Sequence, residues 1–310
     1  MASDTGNLEP ITNNMSAEIE QRAHEIVEDL RADIDFELDD VIARIVRGLP
    51  EDYFKMLSRD DQLRQLKALL AMGVCNLSEE IMLRSDDGQQ IAVVARKNYP
   101  GLLANLLKRI PTELELIGAK IFTSTEHDFI IDLFEFKPVE ESEPAAPAEW
   151  VDLESTVEAV VNKVGSPIDQ VRDFVSQYHP GNRILSSPSD VADQFLVCLD
   201  SQRTNETAVR WISVGDGKSS RVTVASSSRS ARDVFRKTAE FLAMRAWDID
   251  QAYLHDFARE ADAHMAVASF LVTGPASDSS SSENKISTIG DHGIDEQASN
   301  SIATELARFL

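Results

Sequence analysis

The chain has 310 residues, 43% of them hydrophobic and 27% charged, which is enough for two or three domains and is a globular rather than a disordered composition. Its formal net charge of -23 repels phosphate backbones, so nucleic acid is excluded as an expected partner. The densest basic stretch, residues 227–236, itself carries Asp233.

Residues 1–14 are polar and acidic, with neither the basic nor the apolar segment of a secretory leader. No apolar run approaches the ~18 residues of a membrane span, so no membrane association and a cytoplasmic location are expected. The two cysteines, Cys75 and Cys198, are far apart, lie in apolar surroundings and read as reduced buried thiols.

Residues 1–15 read as a disordered lead. From Ser16 to Arg47 apolar residues (Ile19, Ala23, Ile26, Leu30, Ile34, Leu38, Ile42) recur at helical spacing, and Gly48-Leu49-Pro50 stops the pattern. The opposite face is acidic, with Glu28, Asp29, Asp33, Asp35, Asp39 and Asp40. A spread stripe of this kind is a solvated face, since a metal needs convergent oxygens. A second helix is expected over Ser58–Met72, capped by Ser58 and Asp61 and ended by Gly73. Ile81–Arg84 and Gln90–Ala95 flank Ser85-Asp86-Asp87-Gly88, a hairpin signal. After Gln90–Ala95 comes Asn98-Tyr99-Pro100-Gly101-Leu102-Leu103, a turn into a short apolar helix, Gly101–Arg109. Glycine lacks a Cβ, so a ligand or a neighbouring chain can approach that backbone closely. Strands Ile117–Ser124 and Asp128–Phe136 follow, and the proline-rich acidic stretch 137–149 reads as a linker.

The second half begins with helices Leu153–Val164 and Pro167–Tyr178, the latter capped by Ser166. Strands are predicted over Gln194–Leu199, Val209–Val214 and Arg221–Ala225. A helix over Ser230–Arg245 and strands Asp248–Phe257 and His264–Val272 complete it. Residues 274–296 are Ser- and Asp-rich and read as a flexible linker. A last helical pattern, within 297–310, stops abruptly at Ala307-Arg308-Phe309-Leu310, as in a truncated or split reading frame.

The halves repeat one order of elements: helices, a hairpin, then strand–helix–strand–strand. Ile91–Ala95 aligns with Val222–Ala225, and Ile117–Phe122 with Ile249–Leu254. The repeat rests on pattern, not identity. The turn of the second copy, Ser226–Ala231, has no glycine, which makes the first copy the better binder.

Motifs of catalysis are missing. Gly215-Asp216-Gly217-Lys218-Ser219 lacks the leading glycine of a phosphate loop, having Ile212 there, and reads as a hairpin turn. His255, Asp256, Asp262 and His264 have no recognised metal-ligand spacing. No Gly-x-Ser-x-Gly elbow occurs, and neither cysteine has a nearby histidine. Trp211 and Trp247 sit in apolar runs and read as core.

The unit formed by Tyr99-Pro100-Gly101-Leu102-Leu103, Ile117–Thr123 and Ile130–Phe136 resembles the ACT domain, an amino-acid-sensing ferredoxin-like fold. In that family the turn after the first strand, often Asp-x-Pro-Gly-x-Leu, lines the effector site. The resemblance therefore implies effector contacts at Asn98, Tyr99, Gly101 and Leu102, with Asn98 in place of the acidic residue. A narrower likeness joins Leu49-Pro50-Glu51-Asp52-Tyr53-Phe54, Asp61, Leu66-Lys67-Ala68-Leu69 and the same turn. These resemble the N-terminal region of the large NAD-dependent glutamate dehydrogenases, whose ACT-like modules precede the catalytic domain. Arg221–Ala225, Phe235 and Trp247–Phe257 are similar to their second module.

The expected fold is α+β, with tandem ACT-like β-α-β-β sheets, each preceded by helices, at 16–136 and 150–273. Such sheets have edges that join side by side, so intra-chain pairing or a homo-oligomer is expected. The function implied is a regulatory region that binds a small-molecule effector, an amino acid. No catalytic residue, metal or cofactor is expected in this chain, NAD belonging to an implied downstream catalytic domain. The alternative is a non-catalytic oligomerisation module or a free-standing sensor.

Overall fold

The computed structural model describes residues 17–33, 39–75, 80–85, 88–124, 129–137, 153–177, 188–214, 219–258, 264–274 and 296–310. The lead 1–15, most of the linkers 137–149 and 274–296, the turn 215–218 and the loop carrying Asp262 lie outside the described residues.

Helices α1 (Ala17–Asp33), α2 (Asp39–Arg47), α3 (Glu51–Met56) and α4 (Arg59–Cys75) come first. They precede β1 (Glu80–Arg84), β2 (Gln90–Ala95), α5 (Leu102–Arg109), β3 (Leu116–Thr123) and β4 (Ile130–Phe136). The order then repeats: α6 (Leu153–Val164), α7 (Ile168–Gln177) and α8 (Pro188–Thr204) lead into β5 (Ala208–Val214), β6 (Ser219–Ser226), α9 (Ala231–Met244), β7 (Asp248–Ala258) and β8 (His264–Thr273). Helix α10 (Glu296–Phe309) follows. The fold is α+β.

Among the described residues all strands belong to one eight-stranded sheet in the order β1-β2-β4-β3-β7-β8-β6-β5. Every neighbouring pair is antiparallel. In each half the fourth strand inserts between the second and third, and the halves meet where β3 pairs with β7. Of the two expected ways of joining sheet edges, the intra-chain one is present. The order is palindromic, and the β3–β7 ladder runs from Gly118↔His255 to Phe122↔Gln251 with Lys120↔Tyr253 at its centre.

One face of the sheet carries α5, α9 and α10 over a core that runs through both halves, including Leu106, Phe134, Phe235, Phe270 and Leu306. The other face is covered half by half. A first cluster joins Ile26, Leu30, Ile42, Tyr53, Phe54 and Leu66 to Val94 and Phe122 of the sheet. A second joins Val160, Val171, Phe174 and Phe195 to Ala225 and Val267. Tyr53 meets Phe54 and Phe122 edge-on at 5.3 and 5.4 Å, the favoured aromatic geometry.

Several expectations need correction. The helical pattern from Ser16 to Arg47 is divided between α1 and α2. Gly73 does not end α4, which continues to Cys75; nothing lies within 4 Å of a Cβ added there. Ser58 does act at the N-terminus of α4: its hydroxyl accepts the Asp61 N–H at 3.2 Å and donates to the Asp61 carboxylate at 2.6 Å. The predicted strand Gln194–Leu199 lies inside α8. Val191, Ala192, Phe195 and Cys198 are buried there at i, i+1, i+4 and i+7, which is helical periodicity. The alignment of Ile117–Phe122 with Ile249–Leu254 has the right strands but is one residue out. Ala119 and Ile121 share the α5/α9 face with Ala252 and Leu254, and a one-residue slip exchanges the faces.

Helices α5 and α9 lie antiparallel, and Arg232 in the first turn of α9 ties them together. Its guanidinium donates to the carbonyls of Leu107 at 2.8 Å, Pro111 at 2.9 Å and Ile110, satisfying orphan acceptors at the end of α5. Arg232→Ala is expected to lower unfolding free energy by about 2 kcal/mol, measured by urea denaturation.

Burial pushes the Asp52 carboxyl up from 3.8 to about 6, with Glu51 adding and Lys55 opposing. The folded state then holds this proton more tightly than the unfolded chain. Stability is penalised as pH rises from about 4 to 6 and stays penalised above that. Asp52→Asn is expected to be more stable than wild type by about 2 kcal/mol at pH 7.5, the gain vanishing below pH 4 in denaturation curves taken across that range.

Candidate functional site

Strand β2 ends at Ala95, and the chain turns through Asn98-Tyr99-Pro100-Gly101 into α5. Gly101 is the residue before the helix, at φ +92° and ψ -4°, a left-handed conformation that costs other residues about 1 kcal/mol or more. The Leu102 N–H is taken by the Tyr99 carbonyl at 3.0 Å. No side chain caps the helix, so the N–H groups of Leu103 and Ala104 stay at the positive end of its dipole without a capping oxygen.

This turn opens into a cleft bounded by both halves of the chain. On one side stand Asn98, Tyr99, Gly101 and Ala104; on the other stand Ala243, Trp247 and Ile249, from the end of α9 and the start of β7. Ala246, at φ +55°, turns the chain so that the Trp247 N–H bonds back to the Leu242 carbonyl at 3.1 Å. The Trp247 ring then meets Trp211 edge-on at 5.1 Å. Across the junction of the halves, Thr123 Oγ1 donates to the Ile249 carbonyl at 3.1 Å. The cleft is narrow, a cavity of about 20 Å³, room for about one water molecule.

The two-fold of the sheet would place a matching cleft where α9 begins and α5 ends. There Arg232 fills the junction and bonds the ends of the helix opposite. At the open junction the facing residues are Gly101, Ala104, Ala239 and Ala243, none with a side chain long enough to do the same. A Cβ added to Gly101 would lie 3.6 Å from Ala243 Cβ, ordinary van der Waals contact.

Asp132 of β4 also lines the cleft. It points to the α5/α9 face, as do Ile130 and Phe134 beside it, and it is fully buried. Neither of its carboxylate oxygens has a hydrogen-bond partner among the described residues. Burial drives its carboxyl well above the ordinary range, with Glu80 pushing in the same direction. Asp248 is exposed at the rim, and none of the lining residues is Lys, Arg or His.

Of the residues singled out in the sequence, Asn98, Tyr99 and Gly101 face this cleft, whereas Leu102 is buried in the core beneath and does not line it. Tyr99 is 48% exposed at the mouth. The sequence did carry one unread signal of Asp132: an acid alternating with apolar residues on one face of Ile130-Ile131-Asp132-Leu133-Phe134. The wall from α9 and β7 had none, because it arrives by tertiary packing.

The buried Lys120–Glu135 ion pair, at 2.5 Å, lies on the opposite face and does not contribute to the cleft. Among the described residues, no group of three or more His, Cys, Asp or Glu gathers to hold a metal ion, and no helix is long and apolar enough to cross a membrane. Neither the models of known protein families nor the curated proteins match this chain.

Gly101→Ala is expected to cost about 1–2 kcal/mol through its backbone conformation alone. Thermal melting should find a lowered midpoint with a single cooperative transition retained.

Proposed function

We propose that this chain is an amino-acid-sensing regulatory region of ACT type, related to the N-terminal region of the large NAD-dependent glutamate dehydrogenases and without catalytic machinery of its own. One observation supports this reading above others: the Asn98–Gly101 turn opens into a cleft walled by both halves of the repeat. The effector is a free amino acid, held at Asn98, Tyr99 and Gly101 with Leu102 supporting the turn from below. NAD chemistry belongs to a separate catalytic domain, and a cytoplasmic homo-oligomer is the setting in which such a region works.

The effector acts by preferring one width of the cleft over another, so its influence equals its differential affinity for the two states. A second reading, a pure interaction module, draws support from the outer strands. Among the described residues β1 and β5 each have one strand neighbour, and such edges are templates for pairing with another chain.

Titration calorimetry of the folded protein against the standard amino acids separates the two. Heat from at least one of them, with affinity reduced tenfold or more by Gly101→Leu, is the expected result. No heat from any of them would overturn the sensor reading and leave the interaction module.

A further inference from the structure

A buried carboxyl without a partner is costly, and no polar group among the described residues repays Asp132. Its surroundings on β2, β3 and β4 are apolar: the paired positions are Val93 and Ile121. The same face of β8 in the other half reads Ala266, Ala268, Phe270 and Val272, so the fold does not require an acid in this position. Asp132 therefore has no structural role visible in its contacts, and it lies at the wall of a cleft.

The cleft offers two complementary ends. One is the Asp132 carboxyl, with Asp248 at the rim and no cation among the lining residues. The other is the uncapped start of α5, where the N–H groups of Leu103 and Ala104 point at whatever lies before the helix. Helix starts of this kind favour anions. A molecule that satisfies both carries a cation and an anion a short distance apart. The cleft as a whole is narrow, a cavity of about 20 Å³, which has room for a group of water or ammonium size, so the remainder of the ligand lies outside it near Tyr99.

Resting on the sensor reading above, we propose that Asp132 is the anchor for the α-ammonium group of the bound amino acid, with the α-carboxylate held by the free N–H groups at the start of α5. The side chain of the ligand then leaves by the mouth. The cleft selects for the zwitterionic head, Asp132 giving up to solvent the proton that burial favours as the ammonium docks, and the related junction is occupied by Arg232.

The test compares wild type, Asp132→Asn and Asp132→Val in calorimetry against the standard amino acids and their 2-hydroxy acid counterparts. It is joined by carboxyl carbon NMR of Asp132 during titration with methylammonium. The expected result is an amino acid whose affinity falls 10- to 100-fold in both variants, the loss expected for a charge-assisted contact. The hydroxy acids should bind weakly, and equally to all three proteins. Methylammonium should move the Asp132 resonance, and Asp132→Val should melt at or above the wild-type temperature.

An amino acid that binds all three proteins alike would overturn the anchor while leaving the sensor reading intact. Lost binding with melting lowered in both variants would assign Asp132 a structural role and overturn the anchor as well. If no amino acid binds but methylammonium still moves the Asp132 resonance, the sensor reading fails and an amine site at Asp132 stands. If neither binds, both fall.

Discussion

The pairing of β3 with β7 is the constraint on which the rest of this architecture depends. Five residue pairs, Gly118↔His255 to Phe122↔Gln251, turn two similar halves into one sheet and fix their relation as a two-fold. Once that relation is set, α5 and α9 must cross the same face antiparallel, and the start of each must meet the end of the other. The backbone at such junctions is unsatisfied by construction, with free N–H groups at helix starts and free carbonyls at helix ends. The chemistry of the chain is then decided by how each junction is closed.

The two junctions are closed differently. At one, the Arg232 guanidinium reaches three carbonyls of the facing segment. The arrangement is structural and complete. At the other, glycine and alanines leave the helix start bare and the Asp132 carboxyl unpaired. A repeat that evolved for packing alone has no reason to keep an acid at one copy's core and apolar residues at the other's. The asymmetry between Asp132 and the Ala266–Val272 face of β8 places a cost on one half only, and costs confined to one copy of a repeat are where function is to be sought.

Much of the fold was legible because local chemistry and tertiary structure agree. The Pro100-Gly101 turn, the β1–β2 hairpin, α6 and every predicted strand but Gln194–Leu199 are where their patterns place them. Gln194–Leu199 misled because Phe-Leu-Val-Cys-Leu is an apolar run that fits a buried strand as well as a buried helix segment. Only the wider spacing of Val191, Ala192, Phe195 and Cys198 distinguishes them. Helix α3 has six residues, too short for periodicity to register. The candidate site was half legible. Its turn is local, but Ala239, Ala243 and Trp247 are small or ordinary core residues, made into a wall only by the pairing of β3 with β7, strands more than a hundred positions apart.

The end of α9 and the residues just after it couple the cleft to α10. Ala243 and Trp247 wall the cleft, while Phe241 and Arg245 contact α10. Arg245 stacks over the Phe241 ring at 3.8 Å and pairs with Glu305 of α10, and Phe241 meets Phe309 at 5.7 Å. The sheet beneath is held by continuous ladders on both sides of the junction, so it yields less than a helix end does. An occupant wider than the closed cleft therefore has to displace α5 and α9 relative to each other. The displacement of α9 is felt by α10 through the Arg245–Glu305 ion pair and the tilted Phe241–Phe309 pair, with the Arg245–Phe241 stack holding both partners at the end of α9. Interactions of this kind are individually worth about 1 kcal/mol or less at partly exposed sites, small enough to be rearranged by the binding energy of a single small molecule.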